Sequence, residues 1–220
     1  MKQIATNLYS VTGRGIFCVP VFVLEKTNGK LTLIDTGLKK DANKVIKQII
    51  AKWGSLEKIE RIIFTHRHYD HLGGLAVIAK KLKSTTNKKL ADIELIFHEA
   101  EAPIFKSEYK QEPIEINRLV KHDEIIDKEL NLKVIHNPGH TFGHICLLLQ
   151  NEKIILTGDS FMYIFGSLRP VFKKAHDDYK QYLQSLPLLL NYNWDFAVPS
   201  HMSASMIPRK KIEEFIEKLS

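Results

Sequence analysis

The sequence has little cysteine and no apolar run long enough to span a bilayer. Its 220 residues include two cysteines, Cys18 and Cys146, and both lie in apolar, strand-like runs. Two cysteines argue against a disulfide framework and leave room for one bridge at most, and their apolar setting favours buried thiols. The first residues also lack the apolar stretch of a secretory signal. We therefore expect a cytoplasmic protein without a membrane partner.

Arginine is scarce although the chain is basic. Lys plus Arg number 32 and Asp plus Glu number 25, which gives a formal charge of +7. Most cations are lysines scattered in short pairs, as expected of solvated helix faces and loops, and Arg is the better partner for phosphate. No basic stripe interleaved with aromatic residues is present, as a single-strand-binding surface would require. We therefore expect a small-molecule substrate rather than nucleic acid, and the sequence leaves the oligomeric state open.

Short strand signals and helix signals alternate along the chain. Asn28-Gly29 lies between two β-rich runs and predicts a hairpin. Apolar spacing predicts a helix over Ala42–Trp53. Further strands are expected over 61–65, 93–97, 132–136, 145–149, 153–157 and 195–198, and further helices over 72–82, 177–190 with a break near Pro187, and 208–219. This order predicts a two-sheet α/β protein with helices outside the sheets, as one domain over residues 1–220.

The strongest functional signal is the run Thr65-His66-Arg67-His68-Tyr69-Asp70-His71. Three imidazoles and one carboxylate follow directly after a predicted strand. Neutral imidazole nitrogen and carboxylate oxygen are ligands of zinc and related ions. The alternative is a polar loop in which Asp70 caps the next helix. Three histidines so close together are costly to place unless an ion coordinates them, so we favour a metal site.

Three more predicted strands are followed by a His or an Asp. His140 follows the strand over 132–136, Asp159 follows the strand over 153–157, and His201 follows the strand over 195–198. Each of these residues taken alone could belong to an ordinary turn or surface. Enzymes with α/β folds build their sites from loops at one rim of a sheet. Together with the histidine run, the three residues predict a metal centre.

In this order the motifs resemble the metallo-β-lactamase superfamily. The resemblance rests on the run His66 to His71, on Pro138-Gly139-His140-Thr141 with Gly143-His144, on Thr157-Gly158-Asp159, and on His201. It implies the four-layer αβ/βα sandwich of that family and two divalent metal ions as cofactors, with zinc expected and iron or manganese as alternatives. By the same resemblance, one ion takes His66, His68 and His140. The other takes Asp70, His71 and His201, and Asp159 bridges both.

The resemblance also implies roles around the metals. His144 matches a supporting position, and Asp35 matches a turn whose carboxylate orients the ligands. A hydroxide that bridges the two ions would attack a carbonyl carbon, and the leaving group would either bind the other metal or take a proton by way of Asp70. Tyr163 lies in the apolar run 161–166 and is a candidate for polarising that carbonyl. Arg14, in the loop 13–17, could meet an anionic group of the substrate, although a plain surface hairpin is the favoured interpretation of that loop.

The ligand set favours a hydrolase of an ester, thioester or lactone. In the families that the chain resembles, β-lactamases generally lack an acid at the position of Asp159, and flavodiiron proteins usually carry Glu at the position of His68. Enzymes of the glyoxalase II type and lactonases share the full set, although the C-terminal helical domain of glyoxalase II is not expected here. The alternatives are a mononuclear iron persulfide-type dioxygenase, which would use His66, His140 and Asp159, and a metallo-nuclease or phosphodiesterase.

Overall fold

The computed structural model describes residues 1–11, 18–108, 114–201 and 204–219. The chain divides into two compact units, Met1–Phe97 with Gln111–Arg118 and His98–Lys110 with Leu119–Ser220. A single domain over residues 1–220 stays a prediction. Within the described ranges, no helix has both the length and the apolar character needed to cross a bilayer. The expected cytoplasmic location also stays a prediction.

A seven-stranded sheet runs in chain order from β1 to β7. Its first four strands are antiparallel neighbours, and β4, β5 and β6 pair in parallel. The hairpin predicted at Asn28-Gly29 is confirmed, because β3 and β4 pair across it and Gly29 has a positive φ of 74°. The strands are β1 (Lys2–Ala5), β2 (Leu8–Val11), β3 (Val21–Glu25), β4 (Leu31–Ile34), β5 (Ile59–Ile63), β6 (Glu94–His98) and β7 (Arg118–Val120).

The described part of the first unit contains the α-helices α1 (Ala42–Trp53), α2 (Tyr69–Leu72) and α3 (Leu75–Thr85). Both predicted bounds of α1 are confirmed, and its apolar stripe, which includes Val45 and Ile49, is buried. The helix expected over 72–82 begins later, at Leu75. The reason is local: Gly74 donates its N–H to the carbonyl of Gly37 instead of continuing a helix from α2. A side chain at Gly74 would collide with the Thr36 carbonyl, so this close approach needs glycine.

The second unit contains a six-stranded sheet of order β15-β14-β11-β10-β9-β8 and a separate two-stranded sheet of β12 and β13. All pairs in it are antiparallel except β11 with β14. The strands are β8 (Ile125–Asp127), β9 (Leu132–His136), β10 (Ile145–Leu149), β11 (Ile154–Leu156), β12 (Met162–Ile164), β13 (Ser167–Arg169), β14 (Phe196–Val198) and β15 (Ile207–Pro208). The helices are α4 (Ala102–Glu108), α5 (Tyr179–Ser185) and α6 (Arg209–Glu217).

The apolar core of the second unit explains why its predicted elements form. Phe161, Tyr182 and Trp194 are fully buried in one cluster with side chains of the strands and helices. The predicted break in the helix over 177–190 is confirmed, since α5 ends at Ser185 and a 3-10 helix over Leu186–Asn191 follows with proline in its first turn. Both cysteines are buried, as expected. The predicted mixed α/β class is therefore confirmed, although β12 and β13 were not predicted.

Candidate metal centre

In the first unit, Asp35 anchors the loop that carries the histidine run. Because β4 and β5 are parallel neighbours, their carboxyl ends place Asp35 and Thr65 side by side. The Thr65 N–H donates to Oδ1 of Asp35 over 2.8 Å, and the Thr65 hydroxyl donates to Oδ2 over 2.9 Å. Asp35 is fully buried and has a left-handed φ of 61°, which Asp tolerates better than most residues. This carboxylate therefore sets where the loop leaves the sheet.

The same carboxylate assigns the hydrogen on two imidazoles. Nδ1 of His71 lies 2.7 Å from Oδ2 of Asp35, and an ionised carboxylate only accepts hydrogen bonds, so Nδ1 carries the hydrogen. The Thr65 hydroxyl already donates to Asp35, so its oxygen accepts from Nδ1 of His66 over 3.0 Å. With the hydrogen on Nδ1, the neutral form of each ring carries its lone pair on Nε2. Neutral imidazole whose other nitrogen is held by a carboxylate or hydroxyl is the form that binds metals.

The three histidines of the run are packed closely. The ring centroids of His66 and His68 are 4.8 Å apart, and those of His66 and His71 are 4.0 Å apart. His66 and His71 are buried, whereas His68 and Asp70 are half-buried. The alternative role of Asp70 as a helix cap is wrong, since His68 occupies the N-cap position of α2 and Asp70 lies in its first turn. Rings packed this closely must be largely neutral, because several imidazolium charges here would repel one another.

In the second unit, one carboxylate oxygen gathers two further histidines. Nε2 of His201 lies 2.9 Å from Oδ2 of Asp159, and Nε2 of His140 lies 3.4 Å from the same oxygen. His140 and Asp159 are buried at the ends of β9 and β11. His201 follows β14, the parallel neighbour of β11. The loops after three strands therefore bring a carboxylate and two imidazoles together, as the sequence predicts for this half of the set.

His144 differs from its neighbour His140 because both of its nitrogens are used within the protein. Nε2 accepts the backbone N–H of Asp159 over 3.0 Å, and Nδ1 donates to the carbonyl of Asn137 over 2.9 Å. No lone pair is left for a metal. His144 instead fixes the backbone of Asp159, which agrees with the supporting role expected for it.

Three side chains that the sequence analysis missed hold the backbone between His140 and His144. The N–H of Phe142 donates to Asp177 over 3.0 Å, and its carbonyl accepts from Nε2 of His136 over 2.8 Å. The N–H of Gly143 donates to the buried carboxylate of Glu101 over 2.7 Å. Asp177 and Glu101 are distant in sequence, His136 is the last residue of β9, and none of the three belongs to a motif, so no signal identified them. They hold the backbone of the loop that carries His140.

His176 is a fourth residue that sequence reasoning missed. Its ring centroid lies 5.1 Å from that of His140 and 4.1 Å from that of Tyr182. Its Nε2 donates to the carbonyl of Val171 over 3.2 Å. Burial lowers the pKa of His176 more than the hydrogen bond to Val171 and the nearby Asp159 and Asp177 raise it, which favours the neutral ring. His176 thus forms a neutral wall beside His140.

Two other residues predicted to act at the site are Tyr163 and Arg14. Tyr163 lies on β12, half-buried, and packs against the apolar cluster of the second unit. Its role in polarising a carbonyl stays a prediction. Arg14 lies outside the described residues. The apolar run 161–166 is divided, because Phe161 is fully buried whereas Phe165 is 86% exposed.

The donor types suit a divalent metal. Among the described residues, the His and Asp side chains that form groups able to hold a metal ion are His66, His68, Asp70, His71, His140, Asp159 and His201. Imidazole nitrogen with carboxylate oxygen is a donor set used by zinc and by iron. The division of these residues between two ions stays a prediction.

Fold and donors together define a metal-binding protein of the superfamily that the sequence resembles. The family model for the metallo-beta-lactamase superfamily matches residues 15–201. The chain belongs to the metallo-β-lactamase superfamily, and its predicted α/β fold of that type is confirmed.

Three relatives illustrate the range of proteins that are similar to this chain. Beta-lactamase-like protein 2 homolog of Drosophila melanogaster is 31% identical, over 96% of this chain and 70% of that protein. Hydroxyacylglutathione hydrolase of Buchnera aphidicola is 28% identical, over 76% of this chain and 57% of that protein. Atrochrysone carboxyl ACP thioesterase of Aspergillus fumigatus is 24% identical, over 87% and 53%. The chain thus spans between about half and 70% of the length of these relatives.

Solved structures show the same fold. A class B3 di-zinc metallo-beta-lactamase from an Alaskan soil metagenome superimposes with a TM-score of 0.69 and 22% identity, over 99% of this chain and 90% of that one. A protein crystallised in a di-iron-bound form gives a TM-score of 0.66 and 21% identity, over 90% of this chain and 94% of that one. At these identities the likeness establishes the fold alone.

Proposed function

We propose that this chain is a hydrolase that cleaves an ester, thioester or lactone with a dinuclear metal centre. The observation that carries the proposal is the hydrogen bonding of His71 and His66. Asp35 and Thr65 occupy Nδ1 of both rings and leave Nε2 as the lone-pair nitrogen. A protein that used these residues only for packing would have no need of a buried carboxylate that imposes one tautomer on its neighbours.

The proposed ligand assignment divides seven side chains between two ions. One ion would be held by His66, His68 and His140, and the other by Asp70, His71 and His201. Asp159 would bridge them. In the second unit, this ligand assignment is supported by the geometry of His140 and His201, which both direct Nε2 at the same oxygen of Asp159. Its support from the first unit is the close packing of the neutral rings of His66 and His71.

Charge and proton chemistry favour a carbonyl substrate. Two divalent ions would supply Lewis-acid polarisation and would lower the pKa of a water molecule towards neutrality. Asp70 and Asp159 would balance only part of the +4 charge of two such ions, so the loaded site would attract substrate oxygen and anionic groups. Asp70 is half-buried and is the proposed carrier of a proton to the leaving group. The chain needs no serine or cysteine nucleophile, and the buried Cys146 thiol has its pKa raised to about 12 by burial.

The bond type is proposed from the relatives. One is named a hydroxyacylglutathione hydrolase and another an ACP thioesterase, and both names denote hydrolysis at an acyl–sulfur bond. Zinc is the proposed metal, since nitrogen and carboxylate donors suit it. A neighbour in the fold is described as di-zinc and another as di-iron, so metal content needs direct measurement.

The test combines metal analysis with a substrate panel. Purified protein should contain two metal ions per chain, and the zinc-loaded form should hydrolyse acyl thioesters or lactones. Asp159→Asn should abolish that activity and lower the metal content. Asp195→Asn is the matched control, since this aspartate is largely exposed and lies at the start of β14, and it should behave as the wild type.

Three results would contradict the proposal. One iron per chain with oxygen uptake would support the dioxygenase alternative. Cleavage of RNA or phosphodiesters without cleavage of any ester would support the nuclease alternative. Full activity of the Asp159→Asn protein would remove the bridging carboxylate from the mechanism.

A further inference from the structure

The segment of residues 160–176 begins and ends beside side chains of the proposed metal centre. It starts directly after Asp159, and it ends at His176, whose ring centroid is 5.1 Å from that of His140. Between these ends, β12 and β13 pair as a hairpin that belongs to neither large sheet. Both ends of the segment therefore lie beside proposed ligands. Tyr163 and Leu168 of the hairpin pack against the apolar cluster of the second unit, whereas Phe165 at its tip is exposed.

The tip of this hairpin is unfavourable for folding. Ile164 pairs with Ser167, so the turn consists of Phe165 and Gly166, with φ values of 48° and 83°. Positive φ at both positions is a type I′ turn, which prefers Asn-Gly. A bulky aromatic residue in the left-handed region is strained. Backbone strain of this kind is characteristic of functional sites, where another demand outweighs local preference.

The exposure of the same residue is also unfavourable. Phe165 is 86% exposed and Phe172, on the return of the segment, is 68% exposed. By contrast Phe161, at the start of the segment, is completely buried. Two largely exposed phenylalanines gain no burial energy in the free protein. They would gain it only when an apolar group covers them.

The charge of the segment is of one sign. From Ser160 to His176 the sequence contains no Asp or Glu, and it contains Arg169, Lys173 and Lys174. Nζ of Lys173 lies 5.3 Å from the ring centroid of Tyr179. A ligand that matches the segment therefore combines an apolar arm with a negative charge.

We propose that the segment 160–176 selects the substrate of the proposed hydrolase. Phe165 and Phe172 would cover an apolar acyl arm, and the three cations would attract an anionic group on the same molecule. Phe165 lies six positions after Asp159, which is at most roughly 20 Å of extended chain. An acetyl group held at the metals is too short to use the hairpin tip, whereas a long acyl chain is not. The proposal rests on the proposed function and names its substrate class, an anionic amphiphilic acyl ester or thioester.

The kinetic test uses two matched series of thioesters, from acetyl to decanoyl. One series carries glutathione, which is anionic, and the other carries N-acetylcysteamine, which is neutral. For the wild type, KM should fall with acyl length and should be lower with glutathione. Phe165→Asn should raise KM for decanoyl glutathione about tenfold and leave KM for acetyl glutathione unchanged. Its melting temperature should be equal or higher, because Asn-Gly suits the turn.

Two further variants complete the test. Leu188→Asn removes another exposed apolar side chain, 45% exposed in the 3-10 helix, and should leave the acyl-length dependence unchanged. A triple change of Arg169, Lys173 and Lys174 to Gln should remove the preference for glutathione and keep the dependence on acyl length. Equal acyl-length dependence in the wild type and Phe165→Asn would overturn the proposal, as would an unchanged glutathione preference in the triple variant.

Direct binding separates this proposal from the proposed function. S-decylglutathione and S-methylglutathione are thioethers that cannot be hydrolysed, and calorimetry measures their affinity. Tighter binding of the decyl compound, lost in Phe165→Asn, would support the segment's role even if no thioester were cleaved. Equal affinity for the two compounds would overturn it even if thioesters were cleaved.

Discussion

Replacement of Asp35 by Asn tests the tautomer argument with a minimal change of shape. Asn tolerates the left-handed φ of 61° at this position, so the backbone has no reason to move. If the amide oxygen keeps its bond to the Thr65 N–H, the amide NH2 faces Nδ1–H of His71. Two hydrogen-bond donors then face each other at the position where, in the wild type, Nδ1 of His71 and the accepting Oδ2 of Asp35 are 2.7 Å apart. His71 relieves the conflict by moving its hydrogen to Nε2, which is the nitrogen proposed to bind metal.

The magnitude follows from the number of bonds that Asp35 makes. The change disturbs the bonds to His71 and to the Thr65 hydroxyl, and leaves the bond to the Thr65 N–H. Loss of a partner that orients a metal ligand typically weakens metal affinity about 10- to 100-fold. This corresponds to about 1.4–2.7 kcal/mol. The zinc dissociation constant of Asp35→Asn should rise by that factor, and excess zinc should restore much of the activity.

Zinc affinity is measured by competition with a chromophoric chelator, and folding by urea unfolding of the metal-free protein. Asp195→Asn is the control for loss of one negative charge, since its side chain is largely exposed. The reasoning fails if Asp35→Asn folds normally and binds zinc as tightly as the wild type. In that case the carboxylate would not determine which nitrogen of His71 is available.

Two more predictions concern stability. His98 is 4% exposed and stacked on His136, and burial together with the nearby His136 and His122 lowers its pKa to about 4. The pKa of His98 in the unfolded chain is near 6.5, so its contribution to the free energy of unfolding should be fully present above that pH and should fall by on the order of 2 kcal/mol towards pH 4. In urea unfolding, His98→Gln should show a smaller fall over this pH range. Gly139→Ala should cost more than about 3 kcal/mol in the same assay, because φ is 119° and the new Cβ collides with the backbone N of Tyr182. Gly29→Ala, at φ 74° in open space, should cost only about 1 kcal/mol.

The regular elements were predictable where the apolar pattern was long and uninterrupted. The bounds of α1, β9 and β10 match the predicted ranges, because buried residues recur at helical spacing along α1 and the two strands bury most of their residues. The short hairpin of β12 and β13 was not predictable. Its strands have three residues each, and its turn carries Phe165 where sequence rules expect Asn or Gly. A sequence pattern that contradicts local preference gives no signal for the structure it adopts.

The candidate ligands were predictable for a different reason. They follow strands, and strand ends are readable from the sequence, so His140, Asp159 and His201 could be identified as a set, although each of them alone could belong to an ordinary turn. The side chains that hold them were not identifiable in this way. Glu101 and Asp177 bind backbone amides of residues 142 and 143 from distant parts of the chain. Such contacts depend on tertiary packing, which leaves no periodic trace.

His140 and His144 show where sequence reasoning ends. They are four residues apart, each follows a glycine, and each is fully buried, so their local sequence does not distinguish them, and only the family resemblance gave His144 a supporting role. The hydrogen bonds distinguish them, because both ring nitrogens of His144 form hydrogen bonds to the backbone, one to Asn137 and one to Asp159. His140 instead directs Nε2 at the side chain of Asp159. The support and the proposed ligand therefore act on the same aspartate, one on its backbone and one at its carboxylate, so a change at His144 should disturb metal binding without removing a ligand.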